Sequence, residues 1–373
     1  MADNIPNEVM MEILGRLPVK TLLRARCVCK SWCSLISSDN FVTFWFNRIT
    51  HLNNINNTHL LLIKHYNKRE EKEHFSLYLD DESITEYDLN LEDRPYAYIY
   101  PYLTILGSCN GLVCLIDDML SLTDLLYLWN PTIRKFVVLP EPRITFRSHG
   151  AYDRALGFGV DSATNDYKVV RIAYVSGGPE VDIYSVQEGG WRNISVSGPI
   201  PNIKCEASNV YLNGAIHWVS GGYSRLFIVS FNLGTEVFSE MELPSSLRYI
   251  RQSRRLSVAV FHDSLCVFHT DSWEGKSSIW LMKQYGVVES WTNLFSLDFG
   301  RGGSVKVIGL KRNGEVLFTN NEEIISVDIK SPKLKYLGIH GEDVASSVNT
   351  YTESLVLIDK PMPVLDENNS SEC

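Results

Sequence analysis

The sequence predicts an α+β, multidomain chain: a three-helix N-terminal module followed by an all-β propeller of six blades. Three observations predict it. Apolar side chains recur at helical spacing within residues 1–50. From residue 57 on, the texture changes to short β-type runs, roughly one every ten residues, set between Gly, Asn, Asp and Ser. Those runs repeat with a period of about fifty residues, the length of a four-stranded blade. A chain of 373 residues has room for both parts at about 150 residues per ordinary domain.

Composition excludes several classes. With 45% apolar and 21% charged residues the chain is neither disordered nor collagen-like. A formal net charge of −9 argues against non-specific nucleic-acid binding, which needs many Lys and Arg to neutralise phosphates. No stretch of about 18 apolar residues suggests a membrane span, and Asp3 stands where a leader peptide would be basic. The expectation is an intracellular protein, cytoplasmic and/or nuclear, with no membrane partner. The eight cysteines are too scattered for a disulfide scaffold and read as reduced, mostly buried thiols.

Element by element, Pro6 suits the first turn of a helix whose apolar face is Val9, Met10, Ile13, Leu14 and Leu17. Leu17-Pro18 ends it and starts a second, Thr21 to Val28, with Leu22, Leu23, Ala25 and Val28 among Lys20, Arg24 and Arg26. A third carries Trp32, Leu35 and Ile36, and Asp39 is placed to cap a fourth with Phe41, Phe44 and Trp45. So short a module cannot enclose all these side chains. Ile5, Pro6, Leu14, Leu17, Pro18, Val19 and Leu22 are expected to be exposed, either for a partner helix or for docking on the rest of the chain. Cys27, Cys29 and Cys33 lack the four ligands of a structural zinc site and read as core thiols.

The string Ile5-Pro6-x-x-Val9-x-x-x-Ile13-Leu14-x-x-Leu17-Pro18-Val19-Lys20-x-Leu22-x-Arg24-x-Arg26-x-Val28-x-Lys30-x-Trp32 resembles an F-box. It departs at Ile5, where Leu is commoner, a volume-conserving change. The resemblance implies a substrate receptor that joins a Skp–cullin ubiquitin ligase. Its adaptor-binding residues would be Ile5, Pro6, Ile13, Leu14, Leu17, Pro18, Val19, Leu22, Val28 and Trp32. Residues 1–50 hold six Lys and Arg against four Asp and Glu, and the remainder 29 against 40. The mildly basic module would suit the acidic Skp subunit that the resemblance implies.

In the remainder, paired strands start at residues 126, 181, 228, 279 and 324, on average about fifty residues apart, which is the kelch-type spacing. Second strands are expected at 110–116, 167–172, 213–218, 264–268 and 313–318, and innermost strands at 156–159, 256–260 and 305–309. Asn-Gly pairs at 110, 213 and 313 suit tight hairpins. Residues 60–64, 75–79 and 84–89 would form a further blade, completed by Leu355–Ile358 as its inner strand, which closes the ring and leaves no open sheet between blades. The degenerate repeat also accommodates five or seven blades. The expected boundaries are a helical module at 1–50, a linker at 51–58, the propeller at 59–361 and a disordered tail at 362–373.

Gly107-Ser-Cys-Asn-Gly-Leu-Val113, Trp129-Asn-Pro-Thr-Ile-Arg-Lys135, Leu156-Gly-Phe-Gly-Val-Asp161, Asp166-Tyr-Lys-Val-Val-Arg171 and Ile279-Trp-Leu-Met282 carry a second resemblance, to the F-box-associated domain of plant F-box proteins. Within that family the chain is similar both to the S-locus pollen determinants and to regulators of immune receptors.

Loops joining one blade to the next share a face with those joining second and third strands. The expected loops on that face carry Tyr98, Tyr100, Arg143, Arg147, Arg248, Arg251, Arg254 and Arg255, with Tyr223, Arg225 and Trp273 beside them. Tyr, Trp and Arg dominate binding hot spots, so this rim is the expected site for a protein substrate with an acidic segment. The plainer alternative is a set of loop charges facing solvent. No bond chemistry, metal or cofactor is expected. The competing readings are a kelch-like oxidase or glycosidase, which needs a metal cluster or two facing carboxylates, and a scaffold that acts without a ligase.

Overall fold

The computed structural model describes residues 5–67, 72–81, 86–87, 103–117, 125–196, 198–203, 208–221, 225–250, 256–271, 274–298, 300, 305–320, 322–331, 333–340 and 346–357. Four helices come first: α1 (Asn7–Leu14), α2 (Val19–Ala25), α3 (Lys30–Ile36) and α4 (Asp39–Asn56). Pro6 and Pro18 start α1 and α2 with extended backbone, as a residue locked near the helical φ allows. The cap of α4 is Ser38, whose hydroxyl accepts from the Phe41 N–H at 3.3 Å, rather than Asp39, which takes the first helical position. Helix α4 runs on to Asn56, so residues 51–56 are helical and not a linker. Asn57, in the left-handed region at φ 54°, stops it.

Six four-stranded antiparallel sheets follow. The strands are β1 (Leu60–Asn67), β2 (Lys72–Leu79) and β3 (Glu86–Tyr87); β4 (Leu103–Cys109), β5 (Leu112–Asp117), β6 (Leu126–Asn130) and β7 (Lys135–Val138); then, after a one-turn helix α5 (Phe146–His149), β8 (Asp153–Asp161), β9 (Asp166–Val175), β10 (Gly178–Ser185) and β11 (Gly190–Ile194). The next sheets are β12 (Asn209–Leu212), β13 (Ala215–Gly221), β14 (Leu226–Asn232) and β15 (Phe238–Glu242); β16 (Leu256–Phe261), β17 (Ser264–Asp271), β18 (Lys276–Met282) and β19 (Trp291–Asp298); and β20 (Val305–Leu310), β21 (Glu315–Asn320), β22 (Glu323–Asp328) and β23 (Leu334–His340).

The last strand, β24 (Ser347–Tyr351), closes the ring by pairing with β1, Tyr351 opposite Leu60 and Ser347 opposite Lys64. The inner strand of the first blade is therefore 347–351, not the expected 355–358. The apolar run at 355–357 is buried for another reason, taken up below. The tail at 362–373 lies outside the described residues.

Each blade is apolar on both faces because each face meets a neighbouring blade, which is why strands such as β6 and β9 read as continuous buried runs. Every Leu, Ile or Phe so covered contributes roughly 1.5–3 kcal/mol relative to exposure. The Gly157-Phe158-Gly159 stretch is set by blade-to-blade approach. A Cβ on Gly157 would stand 2.6 Å from Ile216 Cγ2 and 2.7 Å from Trp218 Cζ2, and the Trp218 indole N–H donates to the Leu156 carbonyl at 2.8 Å. Within the first blade a buried ion pair joins Lys64 Nζ on β1 to Glu73 Oε1 on β2 at 2.7 Å, and Glu73 Oε2 reaches the second blade by accepting from the Leu103 N–H at 3.0 Å.

The antiparallel meander sorts the loops onto two faces. Turns from the first to the second and from the third to the fourth strand of a blade, such as Asn110–Gly111 and 131–134, lie on one face, termed lower here. Links from the second to the third strand and between blades lie on the upper face. The helical module enters β1 at its lower end, so it sits on the lower face. Its core of Leu14, Val19, Leu22, Ala25, Ile36, Phe41 and Trp45 is continuous with Ile133, from a lower turn of the second blade, and with Leu355.

Candidate functional site: the outer face of the helices and the upper rim

The helical module divides its apolar residues in a way the spacing did not anticipate. Leu14 (1% exposed), Val19 and Leu22 point inward. They were expected on the surface, but they meet Phe41 and Trp45 of α4, which with Ile133 and Leu355 complete the core, and the Trp45 indole N–H donates to the Leu17 carbonyl at 3.2 Å. Leu17 and Trp32 are half-buried, and Pro6 and Pro18 are exposed. What remains outside is a stripe: Ile5 (47% exposed), Val9 (48%) and Ile13 (49%), four residues apart, with Val28 (65%) on the turn between α2 and α3. Val9 was not among the expected contact residues. Its i+4 relation to Ile5 and Ile13 was the signal. Cys27 and Cys29 also correct the expectation of core thiols: both are exposed on that turn, and Cys33 is half-buried. A hydrogen bond with the Ser31 hydroxyl at 3.1 Å, first among the causes, draws the Cys29 thiol below its usual range.

On the upper face, residues 141–152 form an ordered platform between the second and third blades. Its anchor is Arg171 on β9, 1% exposed. The guanidinium donates to the Ile144 carbonyl at 2.6 Å and to the Tyr152 hydroxyl, pairs with Asp182 at 3.3 Å and lies 5.3 Å from the centre of the Tyr152 ring. Tyr152 stacks on Phe146 at 4.5 Å between centroids, and Arg154 covers the Phe146 ring at 5.3 Å. Thr145 and Ser148 close a capping box around α5. Arg147 is thereby held exposed on a fixed turn.

The other described rim arginines are engaged with strand carboxylates. Arg143 pairs with Glu180, which also accepts from the Asn193 amide at 3.3 Å. Arg225 and Arg248 share Glu242, at 3.0 and 2.8 Å. Arg248 also donates from Nε to the Leu243 carbonyl at 2.8 Å. Two guanidinium groups on one carboxylate leave a net positive charge there, beside Tyr249, which is 72% exposed. Exposed pairs of this kind are worth about 0–1 kcal/mol each, so they shape the surface more than they stabilise it. Tyr98, Tyr100, Tyr223, Arg251, Arg254, Arg255 and Trp273 lie outside the described residues.

Among the described residues, no group of three or more His, Cys, Asp or Glu is placed to hold a metal ion. His217, the most deeply buried histidine, lies instead between a tyrosine and a backbone carbonyl. Its Nε2 is 2.6 Å from the Tyr285 hydroxyl and its Nδ1 is 3.3 Å from the Val210 carbonyl. Burial pushes its pKa down to about 4.

Comparisons with known proteins agree with this division. Residues 3–44 match the family profile of the F-box domain, and residues 42–359 that of the F-box associated beta propeller domain. An F-box protein of Arabidopsis thaliana is 27% identical, over 91% of this chain and 88% of its own length. An F-box/kelch-repeat protein from the same plant is 29% identical, over 79% of each chain. The Arabidopsis F-box protein CPR1 is 26% identical, over 95% of this chain and 89% of its own.

Proposed function

The chain belongs to the F-box proteins that carry an F-box associated β-propeller domain, and we propose that it is the substrate-recognition subunit of its ligase, holding a target protein on the upper rim of the propeller. The general role of the F-box is to join a Skp-type adaptor and, through it, a cullin in an SCF ubiquitin ligase. Such a subunit is non-catalytic: it accelerates ubiquitin transfer by bringing the target to the enzyme, which raises the effective concentration of the reacting groups.

One observation carries the proposal. The exposed stripe of Ile5, Val9 and Ile13 belongs to a module on the lower face, and the ordered platform with Arg147 and the Arg225–Glu242–Arg248 cluster occupies the opposite one. Adaptor and target can therefore be held at once. Exposed Arg147, the two guanidinium groups on Glu242, and the Arg251, Arg254 and Arg255 that the sequence carries between β15 and β16 favour a target with an acidic segment.

The test is to change Arg147, Arg251, Arg254 and Arg255 to Ser together. Proteins that accumulate when the chain is deleted should be cleared by the wild type and not by this variant, with adaptor binding intact in both. Clearance equal to wild type would remove the rim as the target site.

A further inference from the structure

The segment that follows the closing strand, Thr352–Leu357, is irregular in backbone yet buried: Ser354 and Leu355 are fully covered and Leu357 nearly so. A buried loop must find partners for its backbone polar groups, and here one side chain satisfies two of its carbonyls. Asn130, at the end of β6, is itself fully buried. Its amide donates to the Ser354 carbonyl at 3.0 Å and the Val356 carbonyl at 2.9 Å, with the Ser354 hydroxyl at 3.1 Å. Its Oδ1 accepts from the Thr132 N–H at 3.1 Å and the Tyr351 hydroxyl at 3.2 Å. Tyr351 belongs to the ring-closing strand, and its hydroxyl also lies 2.8 Å from Thr132 Oγ1. Gly111, at φ +79°, gives the segment room: a Cβ there would stand 2.4 Å from Ser354 Cβ.

The side chains of the segment point into different units. Leu355, together with Ile133, enters the core of the helical module. Leu357 enters the core between the second and third blades, alongside Leu112, Phe158 and Tyr167.

We infer that Thr352–Leu357 is a strap that fixes the helical module, the ring closure and the second blade as one rigid body, with Leu355 and Ile133 as the positioning residues of the joint. The strap then decides where the upper rim points relative to the adaptor-binding helices. A held target gains proximity to the ligase only if that joint does not swing. The inference goes beyond the proposed target site and is tested without adaptor or target.

The experiment uses the full chain, scanning calorimetry and cleavage by a nonspecific protease in the short connection at 57–59. The wild type should unfold in one transition. The variant Leu355→Ser with Ile133→Ser should unfold in two, and cleavage at 57–59 should rise about tenfold or more, because cleavage follows the population of the opened joint. Leu355→Met should restore slow cleavage. Ile183→Ala, a destabilising change in the third blade, should lower the melting temperature without raising cleavage at the joint. If the double variant does not fold, Leu355→Ala alone should raise cleavage severalfold with near-UV circular dichroism preserved. Two independent transitions in the wild type, cleavage in the Leu355 variants as slow as in the wild type, or an equal rise in Ile183→Ala would overturn the inference.

Discussion

His217 offers a stability test whose sign and size follow from its surroundings. The ring is fully buried on β13, set edge-on against Tyr285 at 5.6 Å between centroids, and its pKa is pushed down to about 4 from 6.5. Burial is the leading cause, and hydrogen bonds to the Val210 and Ala215 backbone partly oppose it. Between these two values the unfolded chain binds a proton that the folded chain refuses. Stability therefore falls as pH drops from above 6.5 toward 4, by about 2–3 kcal/mol between pH 7.5 and 4.5 from this residue alone. His217→Gln removes the titrating group and keeps a donor and an acceptor for Tyr285 and Val210. Urea unfolding followed by tryptophan fluorescence at stepped pH should show the gap between wild type and variant shrinking by that amount as pH falls. His59, also drawn down by burial and then by Arg312, stays in both proteins and cancels. The carboxylates of Asp161 and Glu315, held below the usual range by Lys168 and Lys311 against the effect of burial, lose their contributions at still lower pH. A gap constant to within about 0.5 kcal/mol over the whole range, or an imidazole seen by NMR to titrate near 6.5, would mean that burial does not hold His217 neutral.

Two further changes separate structural from binding roles. Leu14→Ala should destabilise the helical module by about 2–5 kcal/mol, as a buried Leu truncation does, whereas Ile13→Ser on the exposed stripe should shift the melting temperature little and weaken adaptor binding. An unchanged melting temperature in Leu14→Ala would contradict its inward placement. Glu73→Gln should cost about 3–5 kcal/mol by stranding the buried Lys64 ammonium, and adding Lys64→Met should recover most of it. Failure to recover in urea unfolding would mean that the cost does not come from the stranded Lys64 ammonium.

Much of the fold was legible because it rests on local signals. Asn110–Gly111 and Asn213–Gly214 take positive φ at both positions, as tight hairpin turns require, and they fix the register of β5 and β13 where the Asn-Gly pairs predict second strands. The closing strand was misplaced because Ser347-Val-Asn-Thr-Tyr351 is polar, as an innermost strand near a central channel can be, while Leu355-Val-Leu357 has the apolar texture of a strand but places Leu355 in the core of the helices and Leu357 in the core between the second and third blades. On the helical module the spacing identified one apolar face, but not that Phe41, Trp45 and the propeller residues Ile133 and Leu355 close over Leu14, Val19 and Leu22. On the rim, the arginines were readable as a cluster, but their acidic partners Glu180 and Glu242 sit on strands, where sequence distance hides the pairing. The anchor Arg171 is likewise invisible from its own strand, because the groups it holds, Ile144 and Tyr152, come from a loop that precedes it.

In a two-ended receptor the exposed stripe of Ile5, Val9 and Ile13 meets the adaptor. The most direct test is calorimetric titration of the full chain with a purified Skp-type adaptor, beside a variant with Ile5, Val9, Ile13 and Val28 all changed to Ser. The wild type should form a one-to-one complex, and the variant should show no measurable binding while its circular dichroism and melting temperature stay close to wild type. Wild-type affinity in the folded variant, or a wild-type chain that does not bind the adaptor, would contradict it.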